Sequence, residues 1–259
     1  MTPLNIAISG AGTGIGRGAA EGLARAGHRV LATVQFENQI PLIDALGIPT
    51  LRARKIDLLD AEDRARLAAE PIDVLINNAA VSETGPIAEQ PLELVRRVFE
   101  TNVFSSLALT QEVAKRMVAR GRGRIIFVSS MAGLMAIPYV GAYCASKHAL
   151  EAIAGCMNAE LKPHGVEVLT FQPGPYATGF NDQMWASQKK WFDPAKNFTR
   201  PENMAGTAAI LDRQLDPQEA IDALVALAPA PAPRFRNVVP LDVENMIKGL
   251  ETEAWTRPV

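Results

Sequence analysis

The chain is poor in the residues that would place it in several large classes. Of its 259 residues only Cys144 and Cys156 are cysteines, too few for a disulfide scaffold and spaced for neither a CxxC redox pair nor a zinc site. A reducing compartment, and with it a cytoplasmic location, is the expectation. Charge of one sign is also lacking: 26 Lys and Arg face 28 Asp and Glu, and a net charge of −2 gives no field for nucleic acid or an anionic membrane surface. The opening MTPLNIAISGAG has no basic stretch ahead of a long apolar run, which argues against a secretory signal. Residues 125–146 carry no charge, but Ser129, Ser130, Gly133, Pro138 and Gly141 divide them into a β-prone run, a loop and a helix start, so no membrane span is expected. The three histidines form no HxH or HExxH pattern and no carboxylate cluster accompanies them, so no metal site is expected; a GxSxG elbow is missing as well. Cys144 and His148, four apart, lack an orienting carboxylate, and cysteine as a small apolar filler is the commoner reading.

What is present is ordinary globular composition, 48% hydrophobic and 21% charged, which excludes disorder, collagen and coiled coil and favours small-molecule partners. Short apolar β-prone runs at 5–9, 29–34, 50–56, 74–76, 124–128, 166–171 and 237–239 alternate with longer helical patterns. Such alternation is the βαβ rhythm of a parallel sheet, and strands without polar alternation are those covered by helices on both faces. The expected fold is therefore a doubly wound α/β/α sandwich forming a single domain over residues 1–259. After Phe171 the rhythm stops, and residues 174–201, carrying Phe180, Trp185, Trp191, Phe192 and Phe198, are expected to form a lid or substrate-binding segment, or else added helices that pack their aromatics into the core. PAPAP at 229–233 reads as an extended connector to the last strand.

Directly after the first strand come Gly10, Gly12, Thr13, Gly14, Ile15 and Gly16, followed by a helical run. Bare glycines there let backbone N–H groups approach a pyrophosphate, while the helix N-terminus adds dipole and unpaired donors. The GxGxxG pattern fits only loosely, as Gly14, Gly16 and Ala19. Further on, Tyr143 and Lys147 share one face of a predicted helix over 142–161. A tyrosine serves as acid or base near neutrality when a nearby cation favours its tyrosinate, and Lys147 is that cation. Ser130 ends the fifth strand at the sheet's carboxyl edge, where ligands bind.

Spaced from the strand end, Gly10, Gly14 and Gly16 match Gly-x-x-x-Gly-x-Gly, and with this pattern the chain resembles the short-chain dehydrogenases/reductases. The resemblance extends in order through Asp57 and Leu58, Asn77 to Ala79 with Ala80 in place of the family's usual Gly, Asn102, Ser130, Tyr143 with Lys147, and Pro173, Gly174 and Thr178. It implies a Rossmann fold and a nicotinamide cofactor, NAD or NADP. Under it, Asp57 and Leu58 meet the adenine, Asn77, Asn78 and Ala79 the adenosine ribose, Lys147 the nicotinamide ribose and Thr178 the carboxamide. Tyr143 becomes the general acid/base, Ser130 the residue that orients the substrate oxygen, and Asn102 the anchor of a proton-relay water. After the second strand stand Val34, Gln35 and Phe36, and Thr13 occupies the loop, so neither the acidic residue of NAD users nor the basic one of NADP users is present. Glu37 remains as a ribose acceptor, against Arg17 and the distant cluster at 52–55, and the expectation leans to NAD.

The expected reaction interconverts a secondary alcohol and a ketone or aldehyde. Leu134, Met135, Pro138, Tyr139 and residues 175–191, Trp185 and Trp191 among them, are expected to wall the substrate site, which implies a hydrophobic, ring-containing substrate. Two alternatives are a non-catalytic nicotinamide-binding regulator and an isomerase or dehydratase that retains its cofactor. The resemblance also implies a homotetramer or homodimer through helices around 104–119 and 145–162.

Overall fold

A computed structural model describes residues 2–256 and Pro258, with the side chains of Ile210 and Leu211 left out. The expected alternation is realised as β1 (Asn5–Ile8), α1 (Gly14–Arg25), β2 (Arg29–Val34), α2 (Ile40–Asp44), β3 (Leu51–Lys55), α3 (Ala61–Ala68) and β4 (Val74–Asn77). The chain continues through α4 (Leu92–Phe99), α5 (Ser106–Arg120), β5 (Gly123–Val128), α6 (Gly141–Leu161), β6 (Val166–Pro173), α7 (Phe180–Ser187), α8 (Ala205–Asp212), α9 (Gln218–Leu227), β7 (Arg236–Val239) and α10 (Leu241–Glu253). The strands make one parallel sheet in the order β3-β2-β1-β4-β5-β6-β7. No helix among the described residues is long and apolar enough to cross a membrane.

Alternate residues of the central strands β1, β2, β4, β5 and β6 feed two cores. Ile6, Ile8, Val30, Ile76 and Ile126 pack with Ala19, Ala20 and Leu23 of α1 and Ala220 and Leu224 of α9. Their neighbours Ala7, Leu31, Leu75, Ile125 and Phe127 face Leu67 of α3, Leu109 and Val113 of α5 and Leu150 and Ala154 of α6. A sheet sandwiched in this way must be apolar on both faces at its centre, which is why β2, β4 and β5 read as hydrophobic runs while the edge strand β3, LRARK, does not.

The topology also fixes where a ligand binds. From β1 the chain winds outward through β2 and β3, then returns to place β4 on the other side of β1. The crossovers diverge beyond the carboxyl ends of β1 and β4, leaving a crevice at the switch point. The segment expected as a lid is helical only in its middle, where α7 is followed by a 3₁₀ turn at Gln188–Lys190. It is fastened to the body: the backbone N–H of Thr84 donates to Ser187 Oγ at 2.9 Å and its hydroxyl to the Met184 carbonyl at 2.8 Å. Glu89 accepts from Asn197, Phe198 and Thr199.

Leu75 lies fully buried where β4 meets α3 and α5. Leu75→Ala is expected to cost about 2–5 kcal/mol in urea or guanidinium denaturation, and an unchanged midpoint would contradict this account of the core.

Candidate active site

A cleft of about 670 Å³ opens at the carboxyl edge of the sheet. One end is the β1–α1 loop, built for close approach of backbone. Gly10 has φ +66°, and a Cβ there would stand 2.7 Å from the Ala79 Cα, so no other residue fits without moving the β4 end. A Cβ on Gly16 would lie 2.4 Å from the Asn78 amide nitrogen. That amide donates to the carbonyls of Ser9 and Gly10 at 3.0 Å, while Ser9 Oγ accepts from the N–H groups of Asn78 and Ala79. The ends of β1 and β4 are thereby clamped together. No side chain caps α1, and its first turn carries no acidic residue, so its leading N–H groups are left for a ligand beside Thr13, Gly14 and Ile15.

At the centre stand Ser130, Tyr143 and Lys147. The helix α6 starts at Gly141 and runs past the end of β5, which places Tyr143 and Lys147 one turn apart on the face that lines the cleft. Both are buried, at 7% and 2% exposure. Lys147 Nζ donates to the Val128 carbonyl at 2.8 Å and lies 5.6 Å from the centre of the Tyr143 ring. Ser130 begins the 3₁₀ turn Met131–Gly133, its hydroxyl accepting from the Ala132 N–H at 3.1 Å. Phe180 of α7 packs on Tyr143 with ring centres 5.6 Å apart.

Burial dominates the electrostatics. It pushes the Tyr143 phenol well above its ordinary range, and hydrogen bonding to Ser130 only tempers the rise. Lys147 is not among the groups that act on the phenol here. The same burial brings the Lys147 ammonium down to about 8, opposed by the Glu151 carboxylate one turn further along α6. Glu151 is itself buried and accepts from Gln172 Nε2 at 2.9 Å and Thr170 Oγ1 at 3.3 Å.

Asn102 lies in a π-helical stretch, Glu100–Ser105, between α4 and α5, and is wholly buried rather than on the cleft wall. Its Oδ1 accepts the Val81 N–H at 2.8 Å, and its Nδ2 donates to the Val81 carbonyl at 2.9 Å and to Ser146 Oγ at 3.0 Å. Every polar atom of the side chain is engaged, and these bonds tie the loop after β4 to α6.

Several other expectations are corrected by packing. Asn77 does not reach the cleft, because its amide donates to Thr110 Oγ1 of α5. Leu134 and Met135 turn away to pack with Met131, Val238, Val243 and Ile247. Trp185 joins the cluster behind Tyr143, and Trp191 packs against Gly85 and edge-on to Phe192. Tyr139 adopts φ 64° and contributes its carbonyl to the Gly85 N–H instead of a ring to the substrate. Apolar walls beside Tyr143 come from Ile137, Val140, Phe180 and Met184. Of these Phe180 and Met184 lie in the expected 175–191 stretch, whereas Ile137 and Val140 were unmarked in the sequence. Gly12, Gln35, Asp57, Leu58, Asn78, Ala79, Pro173, Gly174 and Thr178 do line the cleft, as expected. So does Gln39, unmarked in sequence, whose amide covers Gly12. Ala80 keeps a negative φ, so the family's glycine is not required there. Asp60 caps α3. Cys144 is buried with a thiol pushed up by burial, and the His148 ring contacts the Cys144 carbonyl, so the two form no nucleophilic pair.

A doubly wound sheet with a glycine-lined helix N-terminus and a Ser, Tyr and Lys set in the same crevice defines a nucleotide-dependent α/β enzyme class. Residues 5–189 match the family model described as short chain dehydrogenase, and the chain belongs to this family of oxidoreductases. Among curated relatives it is 33% identical over 226 residues to the NADPH-dependent 3-dehydrocapnine reductase of Ornithobacterium rhinotracheale, covering 83% of this chain and 77% of that protein. It is 34% identical over 184 residues to dehydrogenase/reductase SDR family member 7B of Bos taurus, covering 65% of this chain and 57% of that protein. Among solved structures, a short chain dehydrogenase from Burkholderia cenocepacia in complex with NADP aligns with a TM-score of 0.76 and 25% identity, over 99% of this chain and 98% of the other.

The lowered Lys147 value makes a pH prediction. The unfolded lysine binds its proton up to its ordinary value near 10.5, whereas the folded one releases it from about 8, so stability rises with pH in that window. The stability of the wild type relative to Lys147→Met should therefore increase by roughly 2–3 kcal/mol between pH 7 and pH 10 in denaturant titrations; a pH-independent difference would show an ordinary lysine.

Proposed function

We propose that the protein is an NAD(P)-dependent carbonyl reductase or alcohol dehydrogenase in which Tyr143 exchanges the oxygen-bound proton. The observation that carries this reading is that Ser130, Tyr143 and Lys147 line the same cleft as the bare, uncapped N-terminus of α1. The cleft fits a dinucleotide: side-chain-free backbone at Gly10, Gly14 and Gly16 accommodates a pyrophosphate, and unsatisfied N–H groups answer its charge. Gln35, Asp57 and Leu58 would hold the adenosine end, Lys147 and Thr178 the nicotinamide end. Bound there, the dinucleotide supplies the hydride.

The chain's own residues do the rest. Ser130 donates to the substrate oxygen and orients it beside the Tyr143 hydroxyl. Tyr143 is protonated at neutral pH because burial disfavours its anion, so the form present is the one that donates a proton to a carbonyl oxygen during reduction. Lys147, charged below about 8, stabilises the tyrosinate left behind. Asn102 positions both sides of the crevice through Val81 and Ser146. Ile137, Val140, Phe180 and Met184 exclude water at the reacting carbon and favour an apolar substituent, a ring among them.

Cofactor choice turns on the far end. Arg52 and Arg54 are engaged by Glu70, Lys55 by Asp63, and Arg17 donates to the Leu42 carbonyl, so none of these expected cations lines the cleft near Gln35. This favours NAD, while the NADPH-dependent reductase relative and the Burkholderia complex with NADP favour NADP; the ratio of the two affinities by fluorescence titration decides. With NADH or NADPH and a panel of aliphatic and aromatic ketones, absorbance loss at the reduced nicotinamide band is expected for the wild type, and Tyr143→Phe should slow it by about a hundredfold or more. Equal rates in the two proteins would remove Tyr143 from the chemistry.

A further inference from the structure

Five charged residues line the cleft: Asp57, Glu83, Arg97, Lys147 and Lys190. Asp57 belongs to the adenosine end and Lys147 to the centre. Glu83 and Arg97 pair where the loop after β4 meets α4, and Lys190 lines the cleft from the turn after α7, which the Thr84 hydrogen bonds to Met184 and Ser187 fasten to that loop. Glu83 is 1% exposed and receives the Arg97 guanidinium on Oε1, while Arg97 is 53% exposed. The fully buried carboxylate thus anchors the guanidinium from behind. Among the described residues Arg97 uses a single donor, which leaves most of its planar fork free. Lys190 makes no ion pair among the described residues. Two cations against one carboxylate, itself turned inward with Oε2 shielded from solvent, leave one uncompensated positive charge.

We infer that the substrate carries an anionic group, a carboxylate, sulfonate or phosphate, that docks on Arg97 with Lys190 beside it. The inference rests on the preceding reading for the carbonyl chemistry and adds the substrate class: a carbonyl flanked by the apolar wall near Tyr143 and ended by an anion. A planar fork held in place by a buried partner loses little freedom when it pairs bidentately with an oxyanion, and such charge-assisted bonds are the strong ones. Glu83 is a positioning residue, since it acts through Arg97.

The test uses straight-chain keto acids with the ketone at successive positions from 3-oxo to 7-oxo, each beside its methyl ester. At the matching length the acid should exceed the ester in kcat/KM by about tenfold or more, and the preference should shrink as salt is raised. The double variant Arg97→Gln/Glu83→Gln, which leaves no buried charge unpaired, should bring the ratio close to one. Lys190→Ala, at an exposed position, should lower it without loss of fold. Calorimetric binding of the same acids and esters is measured in parallel. Esters matching or exceeding acids at every length overturn the inference even if turnover is brisk. If no compound is turned over but the acids bind selectively and lose that selectivity in the double variant, the anion site stands and the oxidoreductase reading falls. Neither turnover nor selective binding overturns both.

Discussion

The site depends on a buried ammonium. Lys147 is placed by α6 against the end of β5, where its Nζ meets the Val128 carbonyl. Removing a cation from water is costly, and the structure offsets that cost with one backbone acceptor and with the Glu151 carboxylate held by Gln172 and Thr170. Everything near the reacting position follows from this docking of helix on strand end. The 3₁₀ turn that presents Ser130 fits over α6 only because residue 133 is glycine: a Cβ there would stand 2.5 Å from Ser129 Oγ and 3.1 Å from the Lys147 carbonyl. Tyr143, one turn before Lys147, inherits its burial and hence its raised phenol.

A second constraint joins the two halves of the cleft. Asn102 fastens the loop after β4 to α6 through Val81 and Ser146, and Asn78 fastens the same loop to the glycine turn. The loop that runs between these clamps continues to Glu83 and Thr84, where it takes hold of α7. One stretch of chain therefore sets the spacing between the glycine turn, the Ser130, Tyr143 and Lys147 set and the Glu83–Arg97 pair. A packed body with this many buried hydrogen bonds transmits a displacement at one end to the others.

Much of this was legible in the sequence, for physical reasons. Strands buried on both faces must be apolar throughout, so 29–34 and 124–128 declared themselves, and turns that approach a ligand must be glycine or carry the reacting group, so Gly10, Ser130 and Tyr143 stood at strand ends or helix starts. What failed depends on tertiary direction. Trp185 and Trp191 were expected in the substrate wall because they lie in the right segment, yet spacing alone does not say which way an irregular turn faces, and both pack behind the cleft. Asn77 and Asn78 are adjacent, but the alternation of a strand sends one to α5 and the other to the glycine loop. Glu83 and Arg97 come from a loop and a helix, and no periodicity links them. The burial of Tyr143 is likewise illegible in YxxxK spacing, because desolvation is a property of the whole fold.

The central claim is that this cleft moves a hydride to a carbonyl carbon. Incubation of the protein with reduced nicotinamide dinucleotide carrying two deuterium atoms at C4, together with a ketone, followed by mass spectrometry of the product, tests it most directly. The account predicts one deuterium bound to the carbinol carbon and none exchanged into solvent. A product without label, or no alcohol from any ketone with either dinucleotide, would contradict it.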